Sequence, residues 1–102
     1  MSVMMGLRIA VKVAAFEQMV AENQETLKTV EARSKEMGAI HHRFYGNLDG
    51  SEVLVLDEWP DPDSFGAFMQ ASPEIAEMFG KAGATVEPQP SFWRELDAGD
   101  AF

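Results

Sequence analysis

Residues 52–83 constrain the fold of this chain more than any other stretch, because two helix starts follow directly on a strand. The run EVLVLDEW has the alternating pattern of a strand and ends at Pro60, which cannot continue the pairing. Asp61-Pro62 and Ser72-Pro73 each combine a side chain that caps helix N-termini with a proline suited to the first helical position. These signals predict a strand at residues 52–59 and short helices at residues 62–70 and 73–81, with Gly83 just past the second.

The rest of the chain adds three strands and one long helix. Alternating apolar residues predict a strand at residues 7–14, and apolar residues at three- and four-residue spacing predict one helix at residues 15–37. Gly38 follows that helix, in the position where glycine commonly ends one. Further strands are predicted at residues 39–46 and 91–96, and the acidic residues 97–102 are predicted to form a flexible tail.

Asp49-Gly50 lies between the second and third predicted strands and favours a tight hairpin turn, because both residues tolerate a positive φ. If these two residues form the turn, the cross-strand neighbours follow from it. The interpretation then pairs His42 with Asp57, His41 with Glu58, Phe44 with Val55, and Ile40 with Trp59. A shift of one residue would exchange the two faces of the strand, so these pairs depend on the turn.

The predicted element order is strand, helix, strand, strand, helix pair, strand. This is the split βαβ, ferredoxin-like order of an α+β protein, with a four-stranded antiparallel sheet and helices on one face. The length of 102 residues suits a single domain, with its core at about residues 7–96. The sheet face without helices carries Tyr45, Leu54 and Leu56 among polar groups, a mixture typical of homodimer interfaces. We therefore expect two copies to pair across this face into a dimeric α+β barrel.

The charge and composition of the chain exclude several kinds of partner and cofactor. Eight Lys and Arg face seventeen Asp and Glu, for a net charge of -9, so the clustered positive charge that nucleic acids and anionic membranes require is missing. The chain has no cysteine, which removes thiolate chemistry and suits a cytoplasmic location. No apolar run approaches the ~20 residues of a membrane span, and charges interrupt the apolar N-terminus before it resembles a signal peptide.

The run EVLVLDEWPDPDSFGAFMQASPEI, with the element order around it, resembles the antibiotic-biosynthesis-monooxygenase-like family of dimeric α+β barrels. The resemblance extends over about residues 7–96. It implies a pocket between the sheet and the helices, built around a tryptophan at the end of a strand, and Trp59 matches that tryptophan. Some members of the family oxidise phenolic substrates in this pocket without a cofactor, so one function that the resemblance implies is that of a cofactor-independent monooxygenase.

Several pocket positions depart from the family pattern. Val55 stands where some of these enzymes carry an asparagine, Phe65 stands where they carry a tyrosine, and the place of an arginine falls on or near Phe79. Haem-degrading relatives have a tryptophan at the place of Phe68 and a histidine ligand at the place of Met78 or Phe79. We therefore expect no haem chemistry.

His42 and Asp57 are the candidate catalytic residues. A carboxylate opposite the imidazole would orient it and allow it to act as a general base. The alternative is a polar pair of the core, hydrogen-bonded because buried polar groups must be. His41 points to the other face of the same strand, so the two histidines of one chain cannot bind one metal, and no metal is expected.

Trp59, Phe65, Phe68 and Phe79 are the candidate substrate-binding residues, and packing in the core is the alternative for all four. Two functions remain open. One is a cofactor-independent monooxygenase that acts on a phenolic or quinol-type molecule, with Trp59 positioning the ring. The other is a non-catalytic dimer that binds a small apolar or aromatic ligand.

Overall fold

The computed structural model describes residues 1–102 and contains four strands and four helices. In chain order the elements are β1 Val3–Ile9, α1 Val13–Glu22, α2 Gln24–Glu36, β2 His41–Gly46, β3 Val53–Trp59, α3 Pro62–Gln70, α4 Glu74–Lys81 and β4 Pro90–Trp93. The strands form one antiparallel sheet in the order β2-β3-β1-β4. This arrangement is the ferredoxin-like α+β fold, which confirms the predicted fold class.

The core lies between one face of the sheet and the helices. Successive side chains of the central strands β1 and β3 point to opposite faces of the sheet, so every second side chain points toward the helices. On β1 these are Met5, Leu7 and Ile9, which are all buried and stand opposite β3 residues that point the same way. Helices α1, α3 and α4 contribute six aromatic and methionine side chains to the core, namely Phe16, Met19, Phe65, Phe68, Met78 and Phe79.

The first strand and the first helix differ from their predicted bounds. The strand spans Val3–Ile9 rather than residues 7–14, because the apolar alternation extends back through Met5. The predicted single helix over residues 15–37 is two helices with a break at Asn23, whose backbone has φ -129 and ψ 36. The side-chain amide of Asn23 donates a hydrogen bond of 2.8 Å from Nδ2 to the backbone carbonyl of Met19. The side chain of Asn23 thus competes with the helical backbone at this point.

The hairpin register is confirmed, although the turn is not the predicted one. His42 stands opposite Asp57, and Phe44 stands opposite Val55. The tight turn joins the Gly50 amide to the Asn47 carbonyl at 3.1 Å, so Leu48 and Asp49 occupy its centre instead of Asp49 and Gly50. The register is nevertheless the predicted one, because the backbone amide of Asn47 donates a hydrogen bond of 3.0 Å to the carbonyl of Glu52. This bond centres the loop between residues 49 and 50, as the prediction did.

Helix α3 starts as predicted, whereas α4 does not. The Asp61 side chain accepts a hydrogen bond from the Ser64 amide at 2.7 Å, which is the predicted cap. The predicted Ser72 cap is wrong: the Ser72 hydroxyl accepts a hydrogen bond of 3.0 Å from the Arg33 guanidinium instead, and α4 begins at Glu74. Strand β4 ends at Trp93 rather than residue 96, at an edge of the sheet.

Candidate functional site

A cavity of about 90 Å³ lies between the sheet and the helices. One water needs about 10–15 Å³ of such space, so the cavity has room for a small organic molecule. Fifteen of its nineteen lining residues are hydrophobic, which makes it an apolar site. Three of the substrate-binding residues predicted from the sequence, Phe65, Phe68 and Phe79, line it together with Phe16 and Phe44.

The polar lining residues are Glu31, Ser34, His42 and Asp57, which come from α2 and from the β2–β3 hairpin. Glu31, Ser34 and His42 also line a surface cleft of about 220 Å³ between α2 and β2. The cavity and the cleft therefore share three of the four polar residues of the cavity. His42 lies between the apolar interior and the solvent.

The His42 imidazole lies within hydrogen-bond distance of the Asp57 carboxylate, which is the arrangement that orients a general base. The His42 Nδ1 atom lies 2.7 Å from Asp57 Oδ1, within hydrogen-bond distance. The Asp57 side chain is 7% exposed, whereas the His42 side chain is 43% exposed. An ionised carboxylate only accepts hydrogen bonds, so a neutral His42 that bonds to it has its proton on Nδ1 and its lone pair on Nε2. The imidazole and the Phe44 ring are nearly perpendicular, with centroids 4.6 Å apart, and this contact limits the rotation of the imidazole.

Trp59 lies one layer behind the cavity and is not among its lining residues. The side chain is 0% exposed, and its ring packs against Phe68 and Phe65 at centroid distances of 5.3 and 5.8 Å. The indole Nε1 donates a hydrogen bond of 3.1 Å to Asp57 Oδ2. Trp59 is therefore connected to the cavity through Asp57 and the two phenylalanines. The structure brings the other five candidate residues to the cavity.

Glu31 and Ser34 line the cavity but are not among the site residues that the sequence predicted. Both follow Leu27 at helical spacing, four and seven residues later, and Leu27 also lines the cavity. That spacing places the three residues on one face of α2. The spacing from Leu27 is therefore the sequence signal that indicates Glu31 and Ser34 as lining residues.

An ion pair fastens α2 to the start of α4, and residues of both helices line the cavity. The Arg33 guanidinium donates two hydrogen bonds of 2.9 Å to the Glu74 carboxylate. These hydrogen bonds lower the pKa of Glu74 to about 2, and the same contact raises the pKa of Arg33. Because the pair joins residues 33 and 74, it fixes the spacing of the two helices.

Two features that other functions would need are not found. No group of three or more His, Cys, Asp and Glu side chains is placed to hold a metal ion. None of the helices combines the length and the apolar character needed to cross a membrane.

Comparison with known proteins identifies the fold but no close relative. No protein-family model matches the sequence, and no curated protein matches it. Among solved structures, the chain is similar to the monooxygenase ActVA-Orf6 of Streptomyces coelicolor in complex with nanaomycin D, with a TM-score of 0.69, 16% identity and coverage of 95% of this chain and 89% of that one. It is also similar to SnoaB, a cofactor-independent oxygenase from Streptomyces nogalater, with a TM-score of 0.64, 17% identity and 98% of both chains covered.

A third similar structure is a dimeric ferredoxin-like protein from an uncultured marine organism, with a TM-score of 0.68, 10% identity and coverage of 94% of this chain and 89% of that one. At these identities the likeness concerns the fold. The chain therefore has the ferredoxin-like fold of the antibiotic biosynthesis monooxygenases, as the resemblance of residues 52–75 implied.

Proposed function

We propose that the protein is a cofactor-independent monooxygenase that acts on a small phenol or quinol bound in the cavity. The observation that carries this proposal is the position of His42, an imidazole oriented by a buried carboxylate at 2.7 Å, at the polar end of a cavity that is otherwise apolar. A phenol has the complementary shape, with one apolar ring and one acidic hydroxyl.

The size and lining of the cavity favour a substrate whose buried part is a single aromatic ring. A space of about 90 Å³ holds the equivalent of several waters, which is the bulk of one ring. Phe65, Phe68 and Phe79 would contact the ring, since aromatic side chains pack edge-to-face or offset against one another. The hydroxyl would lie toward His42, where Nε2 can accept its proton.

The proposed reaction begins when His42 Nε2 removes the phenolic proton. The resulting phenolate donates electrons from the carbon para to its oxygen, and O₂ bonds to that carbon. The outer oxygen takes one proton from the solvent. The electrons of the C–H bond on the same carbon then form the second C=O bond as the O–O bond breaks, and the hydrogen of that carbon leaves as a second proton, so that the outer oxygen departs as water. In total, one phenol and one O₂ give one para-quinone and one water. The substrate loses four electrons and two hydrogens, and O₂ accepts both, so no further reductant is required.

The exposure of His42 suits this role. With 43% of its side chain accessible, the imidazole can pass the proton to water and return to its neutral form between turnovers. Asp57, 7% exposed, stabilises the imidazolium during the step. Two of the similar structures are a monooxygenase and a cofactor-independent oxygenase, which supports the proposal by analogy of fold.

A non-catalytic binding protein is the second candidate. The observation that favours it is the apolar lining at Val55, Phe65 and Phe79, where related enzymes are expected to carry polar side chains. Such a site would hold an apolar ring by burial alone, at roughly 25 cal/mol for each Å² removed from water.

The test of both candidates is oxygen uptake with a panel of one-ring phenols that have an unsubstituted para carbon. We expect His42→Ala to lower turnover by at least about a hundredfold, as loss of a general base does. His41→Ala is the matched control, because the neighbouring histidine points to the opposite face of β2 and should leave turnover unchanged. Saturable binding of the phenols without oxygen uptake would instead establish the binding protein.

We also propose that the protein is a cytoplasmic homodimer. The sheet face without helices carries Tyr45, which is exposed, and Leu54 and Leu56, which are half-buried. An apolar surface of this kind gains from burial against a second copy, and a small chain gains most. The dimeric ferredoxin-like protein of similar fold supports the arrangement. The net charge of -9 disfavours nucleic acids and anionic membranes as partners.

A further inference from the structure

The buried tryptophan has a polar contact that packing alone does not require. Trp59 and Asp57 are two residues apart on β3 and so point to the same face of the sheet. The Trp59 Nε1 atom donates to Asp57 Oδ2 at 3.1 Å, while Asp57 Oδ1 lies 2.7 Å from His42 Nδ1. The three side chains thus form one chain of hydrogen bonds, from the interior of the core to the polar end of the cavity.

Both oxygens of Asp57 are therefore engaged by different partners. With only 7% of the side chain exposed, water can replace neither contact. Rotation of the carboxylate would break the hydrogen bond from Trp59 and leave a buried indole N–H without an acceptor. The plane of the carboxylate is fixed by Trp59, and the orientation of the His42 ring is fixed by that carboxylate.

We infer that Trp59 is a positioning residue for His42, acting through Asp57. By holding Asp57 Oδ2, it keeps Oδ1 directed at His42 Nδ1, so the imidazole proton stays on Nδ1 and Nε2 stays free to accept a proton from the substrate. This role differs from the ring contact with substrate that the sequence suggested for Trp59. It rests on the proposed function only where turnover is concerned, because the tautomer of His42 is a property of the protein alone.

The competing explanation is that Trp59 only fills the core behind Phe65 and Phe68. Pure packing predicts that removal of the indole N–H lowers stability without altering the state of His42. Positioning predicts a change in the tautomer of His42. The ¹⁵N chemical shifts of the imidazole measure that tautomer directly, and they are the readout that a packing role would not move.

The chain offers a matched control for this test. Trp93 donates its Nε1 hydrogen to the Ser91 hydroxyl at 2.9 Å, again two residues earlier on one strand, but the Trp93 side chain is 63% exposed. Trp59→Phe and Trp93→Phe thus remove the same kind of hydrogen bond from a buried and an exposed site. We expect Trp59→Phe to convert the Nδ1-protonated His42 into a mixture of tautomers, and to lower kcat by about ten- to a hundredfold with little change in KM. Trp93→Phe should change neither.

Substitution of the carboxylate gives a second test that does not depend on turnover. In Asp57→Asn the amide has one acceptor and one donor end. Since Trp59 can only donate, it should hold the amide oxygen and turn the amide nitrogen toward His42. His42 Nδ1 must then accept, which moves the imidazole proton to Nε2. In the double variant Asp57→Asn with Trp59→Phe, the amide is free to turn over, and the Nδ1-protonated form should return in part.

These measurements separate the inference from the proposed function. An unchanged tautomer in Trp59→Phe, or the same tautomer in Asp57→Asn with and without Trp59→Phe, would overturn the positioning role. Absence of oxygen uptake by the unmodified protein would overturn the proposed activity, while the NMR comparison would still decide what Trp59 does. If Trp59→Phe fails to fold, the Asp57→Asn variant alone still tests the inference, because a proton that stays on Nδ1 there contradicts it.

Discussion

Two histidine–carboxylate pairs stand side by side on the β2–β3 hairpin, one on each face of the sheet. His42 and Asp57 face the helices and approach to 2.7 Å, whereas His41 and Glu58 lie on the open face at 3.9 Å. The buried carboxylate binds His42 and Trp59, while Glu58 accepts a hydrogen bond from the Ser2 hydroxyl instead. Two neighbouring cross-strand pairs, each a histidine opposite a carboxylate, thus make different contacts.

The difference teaches that the covering helices, and not the residue types, turn one of these pairs into a candidate site. Around Asp57 and Trp59 water is excluded, so the buried indole donor must find an acceptor within the protein and the geometry becomes specific. On the open face water satisfies the same groups, and an exposed ion pair of this length is worth little. The comparison can be tested by substituting matching residues on the two faces.

The largest change in the free energy of unfolding is expected when the two tryptophans, one on each face, are replaced by alanine. Trp59→Ala should lower the free energy of unfolding by about 3–5 kcal/mol, because it opens a cavity at a wholly buried position. Trp93→Ala, at a side chain 63% exposed, should change it by less than about 1 kcal/mol. Urea unfolding of both variants measures the two values. Similar losses would show that the core does not lie on one face alone.

A smaller loss is expected for the carboxylates themselves. Asp57→Ala removes the acceptor of a buried indole N–H and should lower the free energy of unfolding by about 1–3 kcal/mol. Glu58→Ala removes only the partly exposed contacts of Glu58 with Ser2 and His41, and it should lower the free energy of unfolding by less than about 0.5 kcal/mol. Thermal or urea unfolding at neutral pH compares the two variants. An equal cost would remove the basis for treating His42–Asp57 as the special pair.

Substitutions on the open face of the sheet should change the dissociation constant of the proposed dimer rather than the stability of the fold. Leu56→Asp places a charge in the proposed dimer contact and should raise the dissociation constant at least about tenfold. Leu48→Asp is the control, because Leu48 is fully exposed at the tip of the hairpin. Analytical ultracentrifugation over a range of concentrations distinguishes them. A dimer that Leu56→Asp leaves intact would mean that this face is not the interface.

The smallest change in stability is expected at acidic pH, from the Arg33–Glu74 ion pair that joins α2 to α4 on the helical face of the sheet. The pKa of Glu74 is lowered from 4.5 to about 2, so its contribution to stability is complete above about pH 4.5 and is lost as the pH falls toward about 2. Glu74→Gln should therefore lose less stability than the unmodified protein over that range.

Urea midpoints measured between pH 5 and pH 2 test this expectation, with Glu77→Gln as the control on the same helix. Glu77 also lies in the first turn of α4 but accepts no hydrogen bond from Arg33. Parallel pH profiles for Glu74→Gln and the unmodified protein would show that the Arg33 contact does not hold the helices in solution.

The sequence by itself determined the elements whose signals are local. Three features follow from such signals. Alternation determines the order of the strands along the chain, the cap and proline at Asp61-Pro62 determine the start of α3, and a short loop determines the pairing of His42 with Asp57. Each of these signals lies within a few residues of the structure it specifies. Local hydrogen bonds and side-chain period are enough to decide such features.

Only the tertiary structure decided the features that depend on partners distant in the chain. Ser72 loses its capping role to Arg33, 39 residues away, and Asn23, at the helix break, accepts a hydrogen bond from Lys81, 58 residues away. The position of Trp59 behind the cavity depends on how α3 packs on the sheet. The reason is physical: a polar group can choose among several acceptors until folding brings one close and excludes water from the rest.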